Sequence, residues 1–89
     1  MKIPRYLKIG AHKFSVVKRK FPSESEHNAQ VDYAKKEILI DARYTGTMLT
    51  STLFHEVIHV INGELSETDV EWMAQALTQF LEDNKLLKE

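Results

Sequence analysis

Up to residue 41 of the 89-residue chain, polar and apolar positions alternate in short runs. From about residue 47 the apolar positions recur at helical spacing. Leu7 and Ile9, then Phe14, Val16 and Val17, interleave imperfectly with Lys8, His12, Lys13 and Lys18. This predicts β structure from Tyr6 to Arg19, with a hairpin turn or bulge at Gly10-Ala11-His12-Lys13. Phe21 to Ala29 reads as a loop, because Pro22 and the run Ser23 to Asn28 supply turn residues and little to bury. Val31 and Tyr33 alternate before Ala34–Lys36, and Ile38 and Ile40 after it, so Gln30 to Arg43 reads as a tight hairpin ended near Asp41.

Residues 47–62 then predict a helix, with Thr47 as its N-cap and Asn62-Gly63 in the left-handed conformation that ends helices. A second helix starts almost at once. Ser66 suits its N-cap, Asp69 stands three residues on as in a capping box, and Leu65 and Val70 are spaced for a hydrophobic staple. Its stripe runs Val70, Met73, Ala74, Leu77, Phe80, Leu81 and closes near Asn84, where Lys85 and Lys88 suit a helix C-terminus. Trp72 points away from this stripe, toward a sheet edge or a partner surface. The expected class is α+β: two to four short antiparallel strands packed on a C-terminal helix hairpin, in a single domain spanning 1–89.

The first helix carries the chemistry. Around its wheel, Leu53, Phe54, Val57, Ile58, Val60 and Ile61 cover most of the circumference, which predicts a buried helix. His55 and His59 share the remaining gap, between Ser51 and Thr52, with Glu56 at its border. One turn apart, the two imidazoles project from one face. Histidines turned inward need partners, since unpaired buried polar groups are costly. His55-Glu56-Val57-Ile58-His59 is an H-E-x-x-H match, in which two imidazoles share a Zn²⁺ and the glutamate accepts a proton from activated water. That spacing alone is weak evidence; its place on an apolar helix strengthens it. His12 and His27, without such a setting, read as exposed strand or loop residues.

A catalytic zinc usually takes three protein ligands. No histidine follows residue 59, so the third falls to Glu64, Glu67, Asp69 or Glu71. In a hairpin folded across Asn62–Leu65, position 59 lies near 69–70 and position 55 near 73–74. A metal between the two histidines then stands opposite Glu71. Glu67 lies on the same side one turn earlier, Asp69 is more simply a cap, and Glu64 belongs to the turn. Asp32, Asp41 and Asn62 are candidates to hold the ligand rings. Tyr33 and Tyr44 are candidate oxyanion donors, though packed aromatics with a hydroxyl at the rim read the same way.

Composition changes this picture little. A net charge of −1 does not point to nucleic acid or an anionic membrane as the main partner. Residues 2–20 nevertheless hold seven of the twelve Lys and Arg and no acid, a basic arm able to steer an anionic partner. The absence of cysteine excludes disulfides and thiolate ligands. With no apolar leader or membrane-length run, the expectation is a cytoplasmic protein.

Three segments carry a resemblance to a known family. They are Val31-Asp32-Tyr33 with Glu37 to Asp41, Leu53 to Ile61 with its His55-Glu56-x-x-His59, and Glu67 to Leu81 around Val70-Glu71-x-Met73-Ala74. Together these resemble minimal gluzincin-type metallopeptidases, the small phage- and prophage-associated proteins distantly related to the ImmA/IrrE type. The chain departs from that type in lacking a Glu-Ala-Asn-x-Phe-Ala segment and in its shortness. The resemblance implies a zincin-like fold, one zinc held by His55, His59 and a downstream Glu, Glu56 as general base, and peptide-bond hydrolysis. A peptide or protein substrate then lies along a free strand edge beside the helix. The rival expectation is a non-catalytic module, stabilised by metal, that binds a partner through the basic strands or the Trp72 surface.

Overall fold

A computed structural model describes residues 2–23 and 28–87, so the expectations for His27 and Lys88 lie outside the described residues. Four strands, β1 (Tyr6–Ile9), β2 (His12–Arg19), β3 (Ala29–Asp32) and β4 (Glu37–Asp41), precede two helices, α1 (Gly46–Ile61) and α2 (Glu67–Asp83). The α+β class and the C-terminal helix hairpin are as expected. The sheet is not wholly antiparallel. Its order is β1-β2-β4-β3, with β2 and β4 parallel and the two hairpins antiparallel. β3 lies at the sheet's edge and turns back into the middle as β4. Asp41 N–H donates to the Asn28 carbonyl at 2.8 Å and Ala42 N–H to the Arg19 carbonyl at 2.9 Å, tying the end of β4 to the start of β3 and the end of β2. Lys36, with φ 53, sits in the left-handed region in the β3–β4 turn.

One face of the sheet packs on α1. Phe14, Ile38, Ile40, Leu49 and Leu53 form the buried cluster, with Leu7, Ile9, Val16, Val31, Val57 and Val60 packed around it. Leu39 points the other way and is still buried, as is Phe21 in the loop after β2. Asp41, also buried, ends β4 as expected and turns the chain. It accepts from the backbone N–H of Arg43 and, at 2.9 Å, from Arg43 Nε, while Arg43 Nη2 reaches the Phe21 carbonyl. These side-chain and then backbone bonds from Arg43 hold the Asp41 carboxyl down at about 2 against the opposing effect of burial.

The start of α1 departs from the sequence pattern, and the start of α2 follows it. α1 is capped two residues earlier than expected: Thr45 rather than Thr47 is its N-cap, without a side-chain cap bond, and Gly46 supplies the positive φ of 58 that the entry requires. The Thr47 hydroxyl instead donates to Glu82 Oε1 at 3.0 Å, joining the start of α1 to the end of α2. Ser66 does cap α2, its hydroxyl accepting from Asp69 N–H at 3.1 Å. Asn62 ends α1 in an extended conformation (φ −147, ψ 95) rather than a left-handed one, and its side chain takes the Glu64 N–H.

The helices are less buried than their apolar patterns predict. Leu49, Thr50, Leu53 and Glu56 are the buried residues of α1, Met48 and Ile61 are exposed, and its other large apolar side chains are half-buried. On α2 only Val70, Ala74 and Thr78 are buried. The reason is that α2 packs against α1 and, among the described residues, against no strand. Trp72 is 76% exposed and covers no sheet edge. Among the described residues no helix is long and apolar enough to cross a membrane.

Candidate metal centre

The imidazoles of His55 and His59 turn to one side of α1, as their spacing requires, and meet the first turns of α2. Their Nε2 atoms stand 3.1 Å apart. Glu67 reaches both from the first turn of α2, with Oε2 3.1 Å from His55 Nε2 and Oε1 2.8 Å from His59 Nε2. The three side chains offer ligand atoms that all lie within 4.8 Å of one another, a group that could hold a metal ion.

The chemistry of this donor set fits a cation. Neutral imidazole nitrogens and a carboxylate are all acceptors, and acceptors about 3 Å apart repel unless a positive charge sits among them. Tetrahedral zinc with bonds of about 2.0–2.2 Å separates its donors by about 3.3 Å. The observed spacings of 2.8 to 3.1 Å are within a few tenths of an ångström of that.

Glu71, the carboxylate that the hairpin estimate set opposite the two histidines, stands behind one of them. Its Oε2 accepts from His55 Nδ1 at 2.8 Å, and its Oε1 accepts from Gln75 Nε2 at 2.7 Å. With the Nδ1 proton committed to Glu71, the neutral ring presents its Nε2 lone pair to His59 and Glu67. This is the carboxylate–histidine arrangement that fixes a ligand's tautomer and orientation. The estimate erred in register: position 59 faces 67 rather than 69–70, a shift of about two residues toward the loop. The extended Asn62 sets that register, and the long Glu67 side chain, 79% exposed, has the freedom to swing onto both rings.

The other expectations sort out by their partners. Glu56 is buried, 8% exposed, and lines the same cleft as the imidazoles. Asp32 is taken up by the Lys35 N–H, Asp41 by Arg43 and Asn62 by the Glu64 N–H, so none of the three orients a histidine. Asp69 keeps to its capping role. Tyr33 lies at the cleft rim and donates to the His59 backbone carbonyl at 3.4 Å, tying the β3–β4 turn to α1, while Tyr44 packs against the core cluster. Gln75 went unnoticed in the sequence, although its position four residues after Glu71 on one helical row was a readable signal.

The cleft has a volume of about 1120 Å³ and runs between α1, α2 and the edge strand β3, where Gln30 and Val31 form a wall. None of the seven cations of the basic arm lines it. They belong to the β1–β2 side, where Lys8 and Lys13 are exposed register partners and Lys13 Nζ lies 4.5 Å from the Tyr6 ring centre. Comparisons with protein-family models, with curated proteins and with solved structures give no match to this chain.

Proposed function

We propose that this chain is a zinc-dependent metallopeptidase, with His55, His59 and Glu67 as metal ligands and Glu56 as general base. The observation that carries the reading is the convergence of two imidazoles and a carboxylate, from two helices, in a cleft that Glu56 also lines. Two histidines and a glutamate are the ligand set of one class of catalytic zinc site, which keeps its fourth position open. The resemblance of the motif-bearing segments to small phage- and prophage-associated metallopeptidases supports the same reading. When bound, zinc supplies a Lewis acid that draws the pKa of water toward neutrality and polarises a carbonyl.

The chain's own groups do the rest. Glu71 holds the Nδ1 proton of His55 and is itself held by Gln75, so that ring cannot turn away. The free edge of β3 offers main-chain groups to an extended substrate, which adds to the sheet as a fifth strand along Gln30 and Val31. Glu56 takes the proton of the attacking water as its oxygen bonds to the carbonyl carbon. The same proton then passes to the departing amide nitrogen as the C–N bond breaks.

The test is cleavage of a fluorogenic peptide library by the zinc-loaded protein and by Glu56→Gln. The expected result is turnover that a chelator abolishes and that Glu56→Gln lowers by about 10²–10⁴-fold while zinc stays bound. Cleavage indifferent to Glu56→Gln contradicts the proposal. So does a zinc-loaded protein that cleaves nothing, and that outcome favours a non-catalytic, metal-stabilised module.

A further inference from the structure

The fold adds two lysines to the basic strands that the cleft leaves unused. Lys8 and Lys13 face each other across the β1–β2 hairpin, and both are exposed. Their neighbours Leu7 and Phe14 turn into the core, so the two lysines project from the sheet face opposite α1. Ser15 N–H, two residues along β2 from Lys13, donates to the Lys36 carbonyl at 3.0 Å. That bond sets the β3–β4 turn, with Lys35 and Lys36 both exposed, beside the start of β2. Tyr6, 55% exposed, shares the face of Lys8, and the Lys13 ammonium lies over its ring.

Like charges directly opposite on two strands destabilise a sheet, so the Lys8–Lys13 pair is kept at a cost to folding. Among the described residues no carboxylate forms an ion pair with any of the four lysines. Two acids stand one row back on the same face. Asp32 accepts the Lys35 N–H, and Glu37 is the register partner of Ser15. The lysines outnumber them two to one. The cleft, by contrast, is lined by Glu56, Glu67, Glu71, Glu82 and Asp83 and by neither Lys nor Arg. Charge of opposite sign on the two surfaces directs a polyanion to the sheet and away from the cleft.

We propose that this end of the sheet binds a single strand of nucleic acid, with Lys8, Lys13, Lys35 and Lys36 on its phosphates and Tyr6 against a base. Charge complementarity selects a polyanion. The uncharged surface then selects among polyanions. Among the described residues, Tyr6 is the one large apolar side chain that the four strands expose, and no aliphatic one joins it. Lysine is depleted in protein–protein interfaces, whose centres are apolar, and a lipid surface takes up aliphatic side chains that are absent here. A cationic face with an aromatic ring is what a single strand uses, its backbone on the charges and a base on the ring. Three or four phosphate contacts give weak binding, whose logarithm falls against the logarithm of salt with a slope of about −2 to −3.

Fluorescence anisotropy of a labelled oligothymidylate, titrated with the full chain at several salt concentrations, tests the surface. Binding at low salt with that slope is expected. Lys8→Gln combined with Lys13→Gln removes two contacts and flattens the slope by about 1.4. Tyr6→Ala weakens binding by about fivefold or more and leaves the slope unchanged. Lys85→Gln, beyond the end of α2, changes neither, and His55→Ala binds the strand as the wild type does, which separates this surface from the metal centre. Circular dichroism checks the fold of each variant. No binding at low salt overturns the proposal, as does a slope that the double variant leaves unmoved or binding lost in His55→Ala. Polyglutamate or anionic lipid vesicles bound as tightly as the oligonucleotide, with Tyr6→Ala without effect, overturn the choice of nucleic acid.

Discussion

α1 is gripped from two directions and α2 from one. The first helix packs against β1, β3, β4 and α2, and it lays Leu49 and Leu53 into the core beneath it. The second touches α1 and, among the described residues, no strand, and it buries only Val70, Ala74 and Thr78. The candidate centre straddles that difference. Its histidines stand on the gripped helix, 15% and 18% exposed, and its carboxylates on the loosely held one, 79% exposed at Glu67 and 52% at Glu71. Half of the site is therefore built into the core and half is brought to it. A metal bound there ties α2 down, and part of its binding free energy is spent on docking that helix.

The largest effect that separates the two halves comes from the core. Leu53→Ala leaves a cavity at a residue 2% exposed and costs about 2–5 kcal/mol of global stability, read by urea unfolding. Unfolding that loses α2 alone while the sheet survives contradicts the account of α1 as the shared support. A middle-sized effect sharpens the distinction within α2. Glu71→Gln keeps the hydrogen bond to His55 but removes the charge behind it, and should weaken zinc binding by about 10–100-fold without abolishing it. Complete loss of binding shows instead that Glu71 is itself a ligand.

The smallest effect appears only in acid and belongs to the sheet half. Asp41 is held at about 2 against 3.8 by Arg43, so its contribution to stability is fully present above 3.8 and is lost as pH falls through about 2. Thermal unfolding of Asp41→Asn should lose that part of the pH dependence between those two values. A melting temperature that falls just as steeply with acid in the variant removes Asp41 as the cause.

The pattern of what could be read in advance follows the same line. The imidazole pair was legible because four-residue spacing on one helix fixes direction locally, and the Ser66 cap was legible for the same reason. The carboxylate that joins the two imidazoles depends on the register between two helices across the extended Asn62, which no periodicity records. The parallel pairing of β2 with β4 was hidden because alternation assigns a residue to a face, not a strand to a neighbour. The apolar circumference of α1 and the long stripe of α2 predicted more burial than exists. Four strands with a single helix layer on one face leave Ile61, Met73 and Phe80 uncovered, as a chain this short must leave some of its apolar surface.

Zinc titration by calorimetry, on metal-free protein made without a histidine tag, reaches the centre most directly. The wild-type chain should bind one zinc, His55→Ala and His59→Ala none, and Glu67→Ala far more weakly than Glu71→Gln. A wild-type chain that binds no zinc, or one whose binding survives loss of either imidazole, contradicts a metal held between α1 and α2.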